Sequence, residues 1–80
     1  MAAQIKSALK ILRRKQVEAR IGLSRSTIYA KLHRNSKRPS DYDSTFPRPV
    51  SIGVKAVGWI EAEIDAWLTA QVEKSRRGRP

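Results

Sequence analysis

The sequence predicts a mainly α-helical domain with a small β-hairpin, a winged helix-turn-helix of three helices plus a wing. Three observations predict it. Two short segments with apolar residues four apart meet at Gly22, Val50 to Val57 alternate apolar residues between glycines, and a last segment again shows helical spacing. At 80 residues the chain is one domain. A chain of this size hides only about 60–65% of its unfolded surface, so the core is small.

The first ten residues, MAAQIKSALK, start apolar but are broken by Lys6 and Lys10. They read as a flexible arm over 1–10, followed by a short extended Ile11–Arg13. The competing reading is a basic amphipathic helix, with Ile5, Leu9 and Leu12 on one side and Lys6, Lys10, Arg13 and Arg14 on another. From Arg14 to Arg20, Val17 and Ile21 mark the buried face of the first helix, and Gly22 supplies a positive-φ stop. Ser24 then opens the second helix as an N-cap, with Ile28 and Leu32 facing inward. Two short helices around a glycine turn, the second opened by serine, form a helix-turn-helix.

Asn35 to Thr45 reads NSKRPSDYDST, dense in turn formers and free of aliphatic residues, so it is a loop. Phe46 plugs the space between this loop and the helices. Pro47 and Pro49 stiffen an extended entry into a hairpin that turns over Gly53–Lys55. The last helix, from about Glu61 to Lys74, puts Ile64, Trp67, Leu68 and Val72 on one face. Its acids lie near the start and Lys74 near the end, which complements the helix dipole. Trp59 and Trp67 sit among aliphatic residues and belong to the core. The domain therefore covers 11–74, with a basic tail over 75–80. A three-helix bundle with an irregular loop in place of the hairpin is the plainer alternative.

Seventeen Lys and Arg against seven Asp and Glu give a net charge of +10. The balance is +10 over residues 1–55, −4 over 56–73 and +4 over 74–80. Self-repulsion on this scale adds nothing to stability, so it points to a polyanionic partner; acidic membranes, acidic proteins and a merely solvated basic face fit the charge alone. There is no Cys, which excludes disulfides, thiolate zinc sites and Cys nucleophiles. The one His has no second His beside it, so neither a metal nor a cofactor is expected. Apolar runs are too short to span a bilayer or form a signal peptide, and the protein reads as soluble and cytoplasmic.

The second helix carries the chemistry of a double-stranded DNA reader. On a helical wheel Ile28, Leu32 and the stem of Arg25 share one side; Ser26, Ala30 and His33 lie opposite, with Thr27, Tyr29 and Arg34 on the flanks. Arg25 is placed to pair with a guanine or to hold a phosphate. Tyr29 offers its hydroxyl to a phosphate or its ring edge to a thymine methyl, or else packs on the wing or loop. Ala30 permits close approach, and His33 is a contact or a solvated residue. Backbone contacts come from Arg14, Lys15, Lys31, Arg34, the tail, and on the wing side Arg48 and Lys55. Neutralising about five phosphates gives a slope of about −4 to −5 for log K against log salt. A monomer reading so few bases discriminates poorly, which predicts a homodimer or a cooperative array on repeated sites.

The strings VEARIGLSRSTIY (Val17 to Tyr29), FPRPVSIG (Phe46 to Gly53) and KAVGWIEAEIDAWL (Lys55 to Leu68) resemble the AlpA family of phage-type regulators. The match runs from about Ile11 to Leu68. The resemblance implies an excisionase-like protein with a MerR-like winged helix-turn-helix, of bacterial or prophage origin. It implies transcriptional regulation, accessory action for an integrase in some relatives, recognition-helix positions at Arg25, Ser26, Thr27 and Tyr29, and a wing tip at Gly53–Lys55. The alternative is a small protein-interaction module that docks on a response regulator or integrase through Glu61, Asp65 and Glu73. An enzyme is not expected: the lone His33 sits on an exposed flank and the acids are spread over a helix surface. No RNA-module motif appears.

Overall fold

The computed structural model describes residues 9–78, so nearly all of the N-terminal arm and the end of the tail lie outside the described residues. In chain order the elements are β1 (Ile11–Leu12), α1 (Arg14–Ile21), α2 (Arg25–Leu32), a 3-10 turn (Pro39–Asp41), β2 (Val50–Gly53), β3 (Ala56–Ile60) and α3 (Glu61–Arg77). Three helices and a hairpin wing are therefore present, as expected. Among the described residues no helix is long and apolar enough to cross a membrane.

Local chemistry explains the boundaries. Gly22 ends α1 at φ 72°, its N–H donating to the Glu18 carbonyl at 2.8 Å. The Ser24 hydroxyl caps α2 by accepting from the Thr27 N–H at 3.3 Å. Helix α3 has Glu61 and Glu63 in its first turn and Lys74, Arg76 and Arg77 in its last, so its dipole is matched at both ends. It continues three residues past the expected Lys74 and takes the first tail residues into the helix.

The extended Ile11–Arg13 segment turns out to be part of a sheet. Strand β1 pairs antiparallel with β3 (Ile11 with Ile60, Leu12 with Trp59), and β2 pairs with the other edge of β3, giving the order β1-β3-β2. The hairpin is thus anchored to the start of the domain, and the Glu61 N–H extends the ladder to the Lys10 carbonyl at 2.8 Å. Gly58 makes this close approach possible. A Cβ there would lie 2.3 Å from Ile11 Cγ2 and 3.1 Å from the Leu12 carbonyl. Gly58→Ala is expected to destabilise the domain by about 1–3 kcal/mol through overpacking, read as a lower urea midpoint. An unchanged midpoint would show that β1 yields freely.

The core is one cluster of Leu12, Val17, Ile28, Phe46, Trp59, Ile64 and Trp67, with Ile21, Leu23, Leu32 and Leu68 packed against it. Phe46 does plug the loop-helix seam: it is 1% exposed and meets the Trp67 ring edge-on at 5.0 Å. Both tryptophans are buried, and both indole N–H groups find acceptors, Trp59 at the Pro47 carbonyl (3.1 Å) and Trp67 at Asp43 Oδ2 (3.1 Å).

Candidate nucleic-acid interface

No Asp or Glu occurs from Ala19 to Ser40, the stretch that contains all of α2. The helix turns Arg25, Ser26, Tyr29 and His33 to solvent. Tyr29 is 57% exposed, and its ring stacks on His33 one turn later with centroids 4.1 Å apart. Tyr29 therefore packs on a neighbour of its own helix and not on the wing. The four outward side chains supply one fixed charge, several hydrogen-bonding groups and an aromatic edge, all on an element held rigidly by Ile28 beneath it.

Ala30 is a correction. It is only 2% exposed, because loop residues 35–38 fold back over that side of α2 and form with it a cleft of about 530 Å³. A helical wheel assigns one buried side, and α2 has two, one against the core and one under the loop. Thr27 is half-buried and its hydroxyl is engaged: it lies 3.1 Å from the Ser24 hydroxyl and accepts from Arg38 Nη2 at 2.8 Å.

Several expected phosphate ligands already have partners within the protein. Lys31 lies on the core side of α2 with its ammonium 5.4 Å from the centre of the Trp67 ring. Arg48 donates to the Leu32 carbonyl at 2.8 Å and to the Tyr42 hydroxyl at 3.0 Å, closing the C-terminal end of α2 instead of extending from the wing. Arg34 sits over the Tyr42 ring at 5.1 Å, and Arg14 is paired with Glu18. With Arg48 donating to it and Arg34 beside it, the Tyr42 phenol is held below its ordinary value.

Asp43 organises the same region. Its N–H donates to the Lys31 carbonyl at 3.1 Å, and its carboxylate accepts from the Thr45 N–H at 2.8 Å and from the Trp67 indole. Burial pushes this carboxyl up. The hydrogen bonds from Thr45 and Trp67, with Lys31 nearby, outweigh that and hold it below its ordinary value.

A second basic cluster lies at the wing. Arg13, Arg14 and Lys15 at the start of α1 meet Lys55, Val57 and Trp59 around a cleft of about 390 Å³. Lys55 occupies the hairpin tip at φ 58°, next to a Val54 that is 93% exposed. Lys15 and Lys55 are thus brought together as wing-side cations. Arg13, expected in the short extended Ile11–Arg13 segment but not among the phosphate contacts, joins them because it directly follows β1. Asn35, Ser36, Lys37 and Arg38, read from the sequence only as a loop, line the cleft beside α2. Their turn-forming character concealed that the same residue types donate hydrogen bonds to anions.

The acids offered as a protein-docking face are mostly occupied. Arg20 is paired with Glu61 and with Asp65 (2.8 Å), tying α1 to α3, and Arg77 lies 3.7 Å from Glu73. The hydrogen bond to Glu61, then the charge of Asp65, raises the already high pKa of Arg20. Among the described residues no group of three or more His, Asp or Glu side chains is arranged to hold a metal.

Comparison with known proteins bears on this surface. The family described as prophage CP4-57 regulatory protein (AlpA) matches residues 10–72. The chain is 52% identical over 64 residues to the DNA-binding transcriptional activator AlpA of Escherichia coli K12, covering 80% of this chain and 87% of that protein. It is 35% identical over 69 residues to ORF88, an uncharacterised protein of Enterobacteria phage P4, covering 86% and 68% respectively. No solved structure matches the chain.

Proposed function

The chain belongs to the AlpA family of prophage regulatory proteins, and from that premise we propose that it is a sequence-specific double-stranded DNA-binding protein that regulates transcription. The observation that carries the reading is the outward face of α2: Arg25, Ser26, Tyr29 and His33, exposed together along a capped helix that itself contains no acid. In the wide groove of a duplex, Arg25 pairs with a guanine edge and Tyr29 meets the flanking base or phosphate, while Ser26 and His33 add hydrogen bonds. Arg13, Lys15 and Lys55 hold phosphates on the wing side, which fixes the register without reading sequence. The 52% identity to a protein named as a DNA-binding transcriptional activator supports the same chemistry. The site of action is then the bacterial cytoplasm, where the DNA lies.

An accessory role in excision, beside an integrase, uses the same DNA contacts and belongs to this reading. So does binding as a dimer or a cooperative array, because four side chains on one short helix read few base pairs. Selection from a random duplex pool is expected to return a defined motif in repeated half-sites. Titration against salt is expected to give a slope of about −4 to −5, for about five neutralised phosphates. A pool that stays random after selection, with no duplex retarded at low salt, would overturn the proposal.

A further inference from the structure

Loop 35–38 is docked on α2 by specific bonds. Arg38 reaches Thr27 Oγ1 at 2.8 Å with one nitrogen and Asp41 Oδ2 at 3.1 Å with another, so its guanidinium bridges the first turn of α2 and the 3-10 turn. The loop is also closed from within. The Ser36 N–H donates to the His33 carbonyl at 3.3 Å, and the Ser36 hydroxyl accepts from the Arg38 N–H at 3.1 Å. The result is an open cleft of about 530 Å³ running beside the outward face of α2, with Ser26 and Tyr29 on one wall and Asn35 to Arg38 on the other.

The chemistry of the two walls is one-sided. Hydroxyls, a side-chain amide and the cations of Lys37 and Arg38 line the cleft, Arg38 being already paired with Asp41; no carboxylate lines it. Lys37 is exposed on the loop wall and makes no ion pair among the described residues. Buried Ala30 lies at the base of the cleft, between the two walls.

We propose that this cleft seats one sugar-phosphate strand of the duplex whose bases α2 reads, with Lys37 as a phosphate contact and Arg38 as the positioning residue that holds the loop wall in place. The inference rests on the DNA-reading role of α2 and adds to it a contact surface outside the helix-turn-helix and the wing. A phosphodiester strand fits because every polar group on the walls donates or accepts at neutral or positive charge, and a backbone carries one negative charge per residue along its length. The arginine acts through geometry: with Thr27 and Asp41 both satisfied, it fixes where Lys37 stands relative to Tyr29.

The test uses the full chain and the duplex obtained by selection, with affinity measured by fluorescence anisotropy across a salt series. Lys37→Ala is expected to weaken binding several-fold and to make the log K–log salt slope shallower by about 0.9. Thr27→Val removes the acceptor for Arg38 with no change of charge, and in that background Lys37→Ala is expected to shift the slope by much less. Thermal melts of the variants report folding separately. A parental slope for Lys37→Ala overturns the phosphate contact, and fully additive effects of the two substitutions overturn the positioning role. Arg25→Ala serves to separate the two readings: if it weakens binding while Lys37→Ala does not, the cleft is wrong and the α2 reading stands. Should the parent chain bind no duplex, both fall.

Discussion

Phe46→Ala is expected to lower the melting temperature on the order of 15–30 °C. The side chain is 1% exposed and packs edge-on against Trp67, so its removal leaves a cavity at the seam of loop, α2 and α3. Truncating a buried Phe costs about 3–5 kcal/mol. A domain of 80 residues has a total stability of roughly 4–12 kcal/mol, and each kcal/mol moves the midpoint by about 4–8 °C at this size. Phe46→Leu keeps most of the volume and is expected to cost about 1 kcal/mol. Calorimetry on both variants decides it: equal midpoints for Ala and parent would mean that the loop collapses onto the gap at no cost.

Arg25→Ala is expected to weaken binding to the selected duplex by roughly 10–100-fold, matching about 1–3 kcal/mol for a bidentate arginine–base pair. The residue is exposed and makes no hydrogen bond or ion pair among the described residues, so the melting temperature should stay at the parental value. The decisive measurement is the ratio of affinities for selected and scrambled duplexes. Contact with a base edge collapses that ratio and leaves the salt slope nearly intact, whereas contact with a phosphate lowers both affinities alike and makes the slope shallower by about 0.9. Adding Tyr29→Ala removes the stack on His33 as well as the aromatic edge, and the double variant is expected to lose sequence preference altogether. Retention of parental affinity and preference in the double variant would remove α2 from the recognition surface.

The basic residues divide by whether they are bonded to remote parts of the fold, since most of them are at least partly exposed. Arg20, Arg38 and Arg48 are fold residues: each joins elements distant in the chain, to α3, to Thr27 and Asp41, and to Leu32 and Tyr42. Lys31 joins them through Trp67. Arg13, Lys15, Arg25, Lys37 and Lys55 make no ion pair among the described residues and are the cations that the proposals assign to DNA.

Much of the architecture is encoded over distances of four or five residues and was therefore readable from the chain alone. Gly22 after Ile21 stops α1, Ser24 caps α2, Gly53–Lys55 turns the hairpin, and Ile64 and Trp67 mark the buried stripe of α3. Each depends on backbone sterics or on helical periodicity, which a linear pattern expresses directly. The assignment of the tryptophans and Phe46 to the core follows for the same reason. The roles of individual cations were decided only in three dimensions. Arg48 reaches a carbonyl sixteen residues back, and Lys31 finds an indole on another helix. Ala30 is covered because a loop returns over it. Such partners are chosen by packing between remote segments, and a charged side chain carries no local mark of which remote group it will meet.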